Sequence, residues 1–204
     1  MPNEKPASRK GTDRGVLRPN FIVGVGGSAG ALNAYLAFLN NLPFNTGMAF
    51  VIISHMNPTA SSQLAEILSR HTKMGVSVAI MAMRIRPNHV YVIPPDADLL
   101  IENYTFKIIS PRSGRARQVD LFFVSLAEAM GARAIGIVLS GYGSDGTEGC
   151  RHIKAKGGIT FAQDISAEAA YMPLSAQASG CVDFVMPPGK ISAKLTHIAI
   201  LSNI

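Results

Sequence analysis

The sequence has no tryptophan, only two cysteines, few charges and no long apolar run. Each shortage excludes something. Cys150 and Cys181 are too few for a disulfide scaffold and lack zinc-site spacing. That usage fits a reducing compartment such as the cytoplasm. No stretch approaches the roughly 18 apolar residues that span a bilayer. The first twenty residues contain no apolar segment of the secretory-signal kind. Charged residues make up 16% of the 204 residues against 48% hydrophobic, a balance that argues against disorder. Nineteen glycines and twelve prolines imply many tight turns and exclude a simple helical bundle. The length suits one domain.

The net charge is +6, and half of it sits in residues 1–20, where Lys5, Arg9, Lys10, Arg14 and Arg18 face Glu4 and Asp13. This segment reads as a disordered basic leader, and residues 21–204 as one domain. A contact with an acidic partner is the competing account of the leader. No aromatic-rich basic helix accompanies it, so nucleic acid is not expected.

Apolar runs at Phe21–Val25, Met48–Ile53, Ala134–Leu139, Ile159–Ala162 and Val182–Met186 predict buried strands. Helical spacing lies between them: Leu32, Leu36 and Leu39, then Leu64, Ile67 and Leu68, then Phe123, Leu126, Ala127 and Met130. Ile191–Leu201 predicts a closing helix, and Pro173 suits a helix first turn. Residues 75–109 read as a β-rich insertion or hairpin. Strands that are apolar throughout and alternate with helices predict a doubly wound α/β fold with helices on both faces of a mostly parallel sheet. Ligands of such sheets bind beyond the carboxyl ends of the strands.

Three strand ends carry chemistry. The first is followed by Gly24-Val25-Gly26-Gly27-Ser28-Ala29-Gly30. This satisfies both a dinucleotide pattern and a G-x-S-x-G nucleophile elbow. The second strand ends in Ser54-His55-Met56, and no acid lies between Gly30 and Glu66 to hold a ribose. That weakens the dinucleotide reading. His55 becomes a candidate base for Ser28. The third run is followed by Ser140-Gly141-Tyr142-Gly143-Ser144-Asp145-Gly146-Thr147-Glu148. Asp145 is a candidate for orienting His55. It is equally a helix cap, with Glu148 three residues on. A phosphate cradle is a further reading of this loop, although no Walker lysine follows. The order Ser, His, Asp differs from that of α/β-hydrolases.

With these segments, Pro87–Pro95, Val119-Asp120-Leu121-Phe122-Phe123, Ala162-Gln163-Asp164 and Met172-Pro173 complete a pattern. From Phe21 to about Leu195 the chain resembles the catalytic domain of the chemotaxis protein-glutamate methylesterases, CheB, and most of all the CheB-type domain that precedes a CheR methyltransferase in fused proteins. The resemblance implies a sheet of about seven strands. It implies hydrolysis of glutamyl methyl esters on the cytoplasmic helices of chemoreceptors, with deamidation of certain glutamines, and no cofactor or metal. Ser28, His55 and Asp145 match the family's catalytic serine, histidine and aspartate. A CheR-type methyltransferase is the expected companion.

The chain also departs from the family. Twenty residues before Phe21 cannot form the usual phosphoacceptor receiver domain. Tyr142 stands where the best-known members carry methionine, and its N–H with that of Ala29 are the expected oxyanion donors. Ala29 and Ala31 replace a threonine and a glycine. Ile80-Met81-Ala82-Met83 lacks the usual acid and glycine, which together with the missing receiver argues for the alternative of a CheB-like module that only binds a receptor or signalling partner. His71, His89, His152 and His197 lack metal-ligand spacing and read as surface or capping residues. The nine methionines read as core filler. Arg112, Arg115 and Arg117 read as a solvated loop or a contact for an acidic helix.

Overall fold

The apolar runs become the strands of one sheet because each must be covered on both faces. A computed structural model describes residues 17–54, 60–112 and 117–201. In it β1 (Ile22–Gly27) is buried throughout and leads through α1 (Ala31–Asn40) to β2 (Ala49–Ser54). Then follow α2 (Ala60–Ser69), β3 (Gly75–Val78) and β4 (His89–Val92). A hairpin of β5 (Asp98–Glu102) and β6 (Thr105–Ile109) precedes α3 (Gln118–Met130) and β7 (Ala134–Val138). The chain closes with α4 (Thr147–Ala155), β8 (Ile159–Gln163), α5 (Tyr171–Ala178), β9 (Phe184–Met186) and α6 (Pro188–Leu201).

The main sheet has seven parallel strands in the order β3-β4-β2-β1-β7-β8-β9. Successive strands first add on one side of β1 and, after α3, on the other. The winding therefore reverses between β1 and β7, which opens a crevice beyond their carboxyl ends. Alternate side chains of the strands enter two cores. Ile22, Val51 and Ile53 pack with Phe122 and Phe123 of α3, whereas Val23, Val25 and Ile52 pack with Phe38 of α1 and Leu195 of α6. Burying a side chain of this size contributes about 1.5–3 kcal/mol.

Two expectations need correction. Residues 75–109 are not an insertion as a whole: β3 and β4 extend the main sheet, and only β5 and β6 form a separate antiparallel hairpin. The α1 face is not the leucine stripe either. Ala31, Ala34, Tyr35, Phe38 and Leu39 are buried, and Leu32 is exposed. Small Ala31 and Ala34 let the helix approach the sheet, so close fit outweighs leucine spacing.

Gly24 and Gly26 do structural work that the dinucleotide reading missed. A Cβ on Gly24 would sit 2.7 Å from Cε1 of Phe123, and one on Gly26 would sit 2.3 Å from Cγ1 of Val119. Their bare backbone seats the start of α3 directly on β1.

Both cysteines are buried and free. Burial pushes the Cys150 thiol far up, away from the reactive thiolate, and electrostatic repulsion from neighbouring Cys181, Asp120 and Asp183 adds to this. A thiol reagent at neutral pH is expected to label neither cysteine in the folded protein and both in urea. Fast labelling without denaturant would contradict this packing.

Candidate active site

Ser28 follows β1 directly. Its N–H donates to the Ser140 carbonyl (2.9 Å), beyond β7, and its own carbonyl accepts from Ala31 N–H (3.1 Å) at the start of α1. These bonds form a sharp strand-to-helix turn between the two central strands. The Ser140 hydroxyl, fully buried, donates to the Ala29 carbonyl (2.8 Å) and accepts the Ala169 N–H (2.8 Å). Ser140 N–H donates to Oε1 of Gln163 (3.0 Å). The turn is thus tied to β7, to the end of β8 and to the loop before α5. Gly141 permits this closeness, since a Cβ there would lie 2.1 Å from Sδ of Met172 and 3.0 Å from Cβ of Ser28.

The turn is also open chemically. The N–H groups of Ala29 and Tyr142 donate to no acceptor among the described residues. The first turn of α1 carries no acidic side chain of its own, and Glu168 packs against Gly30 at its start. Ser28 lines a cleft of about 380 Å³ with Gly30, Leu32, Tyr35, Ser54 and Glu168. Tyr142 and Tyr171 stand exposed at this end of the sheet, with ring centroids 5.6 Å apart.

Asp145 is buried in the loop after β7. Its Oδ2 accepts the Val119 N–H (3.0 Å), and its Oδ1 accepts the N–H groups of Asp120 (2.9 Å) and Gly146 (2.9 Å). This corrects the expected capping box. Asp145 caps the first turn of α3, not the helix that follows it. Glu148 instead lies beside Arg151 (3.6 Å) and His152 (3.4 Å). Asp120 takes the capping role for α4, since its Oδ1 accepts from Gly146 (2.9 Å) and Gly149 (2.8 Å). Asp145, Asp120, Arg117, Glu148 and Arg151 wall a second cleft, of about 490 Å³.

Register aligns the three strand ends. Gly27 pairs with Ser54 and Gly26 with Val138, so β1, β2 and β7 finish side by side. His55, Arg115 and the leader residues Lys5, Arg9, Lys10 and Arg14 lie outside the described residues. Arg18 stacks over the Tyr104 ring (4.9 Å to its centroid), and Arg112 faces Asp96 (3.4 Å). His89 departs from the surface reading: its Nε2 is 3.0 Å from the Ser77 hydroxyl and its ring lies tilted against Tyr91, with centroids 4.6 Å apart. Burial, then the Arg86 charge, hold its imidazole below the ordinary range. Among the described residues no helix is long and apolar enough to cross a membrane, and no three His, Cys, Asp or Glu side chains gather as metal ligands.

Sequence reasoning passed over Asp120, Ser140 and Gln163. Asp120 carried one usable signal, an acid in the first turn of a helix. Ser140 and Gln163 stood in the segments that carry the resemblance, but nothing local marked their bond to each other, 23 residues apart, or that of Ser140 to Ala29, 111 residues away.

Known proteins resemble this chain in sequence and in fold. The family described as CheB methylesterase matches residues 23–195. A protein of Leptospira interrogans is 33% identical over 176 residues, which cover 84% of this chain and 90% of that relative. A Myxococcus xanthus protein named protein-glutamate methylesterase/protein-glutamine glutaminase 1 is 31% identical over 188 residues, 89% of this chain and 54% of the relative. The chain thus spans about half the length of some relatives. The crystal structure of the Thermotoga maritima CheB methylesterase catalytic domain superposes with a TM-score of 0.81 at 29% identity, covering 87% of this chain and 98% of that one.

Proposed function

Because this chain belongs to the CheB methylesterase family, we propose that residues 21–204 hydrolyse glutamyl methyl esters on the cytoplasmic helices of chemoreceptors, using Ser28, His55 and Asp145. The observation that supports this most is the convergence of Ser28 and the Asp145 loop at the switch point, with Ser54, the neighbour of His55, aligned beside them.

The Ser28 hydroxyl attacks the ester carbonyl while His55 takes its proton. Negative charge then develops on the carbonyl oxygen. The N–H groups of Ala29 and Tyr142, which donate to no acceptor among the described residues, offer donors for it. The tetrahedral species collapses, and His55 returns the proton to the departing methanol. Asp145 orients His55 and stabilises its imidazolium. Water, deprotonated by His55, releases the glutamate from Ser28. Deamidation of a glutamine follows the same path with ammonia leaving. A CheR-type methyltransferase would make the esters that this reaction removes.

Methanol release from a methyl-esterified chemoreceptor fragment tests the proposal. Release is expected, with kcat/KM falling on the acid side as an imidazole titrates. Receptor binding without release by the folded protein would instead favour a module that only binds.

A further inference from the structure

Asp120 has no part in the mechanism above, yet it shares a hydrogen bond with the aspartate that does. Gly146 N–H lies 2.9 Å from Oδ1 of both Asp120 and Asp145. The exchange is reciprocal. Asp145, at the start of α4, caps α3 through Val119 and Asp120, while Asp120, on α3, caps α4 through Gly146 and Gly149. The two helix N-termini are therefore held tip to tip by crossed carboxylates. We propose that Asp120 is a positioning residue that fixes Asp145 for the reaction. The inference rests on the reading of Asp145 as the member of the triad that orients His55.

Capping alone does not explain an aspartate here. Asparagine carries an acceptor oxygen at the same position without placing a second negative charge beside Asp145. Burial pushes the Asp120 carboxyl up, the Gly149 N–H opposes this, the Asp145 charge adds to it, and Gly146 N–H and Arg117 pull it back. A carboxyl raised in the folded state contributes less stability as pH rises from the ordinary carboxylate range through its raised value. Wherever Asp120 is ionised, its charge is thus a cost to folding. What the charge can return is a fixed Asp145 in a more negative surrounding, which favours an imidazolium on the base that Asp145 is proposed to orient. The other charges at this cleft are Arg117, Glu148 and Arg151, and Glu148 is partnered by Arg151 and His152.

The test compares methanol release, its pH profile and thermal melting for wild type, Asp120→Ala, Asp120→Asn and Asp145→Asn. Asp120→Ala is expected to lower kcat about 10- to 100-fold with KM changed less than about twofold, because misplacement of a catalytic group costs that much. Asp120→Asn keeps an acceptor for both glycine N–H groups. It should recover most of kcat, move the acid limb to lower pH and melt no lower than wild type at pH 7. Wild-type kcat in Asp120→Ala would overturn the inference. So would loss of kcat and melting temperature together in both variants with the acid limb unmoved, the result for a purely structural residue. If Asp120→Ala does not fold, the acid limb of Asp120→Asn decides. Wild-type turnover in Asp145→Asn would sink the triad reading and the inference with it. An inactive Asp145→Asn beside unaltered Asp120 variants would sink the inference alone.

Discussion

Replacing Ser28 with alanine is expected to lower kcat at least about a thousandfold, because removing a nucleophile leaves only binding and oxyanion stabilisation. The fold should not change. The bonds that Ser28 makes within the turn are backbone bonds to Ser140 and Ala31, and alanine keeps both. Its hydroxyl donates to no acceptor among the described residues, so its loss orphans no buried partner there. Stability should therefore stay within about 0.5 kcal/mol of wild type. Steady-state methanol release and urea denaturation measure the two halves. Turnover preserved in Ser28→Ala would remove the proposed nucleophile. A large loss of stability would mean that the hydroxyl serves the turn.

The largest effect on the fold is expected at Gly26. An alanine Cβ there would meet Val119 Cγ1 at 2.3 Å and Cγ2 at 2.9 Å, far inside van der Waals contact. Val119 is fully buried, and its N–H is held by Asp145. The clash therefore displaces the start of α3. Overpacking of this kind costs about 1–3 kcal/mol, and here the upper end is expected because backbone must move. Since Val119 N–H and Asp145 are bonded, activity should fall more than stability alone explains. Val119→Ala supplies the control. Alone it should destabilise by leaving a small cavity; combined with Gly26→Ala it should remove most of the clash. Urea denaturation of the four proteins should give a double variant more stable than Gly26→Ala. Simple additivity would contradict the packing described.

What was legible in the sequence was local. Val23, Val25, Phe50 and Ile52 announce strands covered on both faces, and the glycines and Ser28 announce a sharp turn after the first of them. Placing Ser28 and Asp145 after central strands needed only that alternation. Less legible were features set by distant partners. β3 and β4 are four residues each, and β3 lies at the edge and is partly exposed, so nothing in their spacing marks them as part of the main sheet. Leu32, Leu36 and Leu39 suggested a buried stripe, but the face of α1 follows from what fits against β1. Gly27 illustrates this, since a Cβ there would meet Ala31 at 2.7 Å and the Tyr35 hydroxyl at 2.5 Å. Asp145 looked like a cap for the helix next to it because sequence shows only neighbours. Its partners at Val119 and Asp120 are 26 and 25 residues earlier. His55, read from sequence, lies outside the described residues, and its role rests on the family pattern and on the alignment of Ser54 with Gly27.

The central claim is that the reaction passes through an ester on Ser28. The most direct test mixes excess methyl-esterified receptor peptide with the protein, quenches it in acid within the first turnovers and maps the adduct by mass spectrometry. The account predicts the peptide acyl group on the segment that carries Ser28, less one methanol, and its disappearance as glutamate product accumulates. Methanol release with no adduct on Ser28, or with the adduct on another residue, would contradict it.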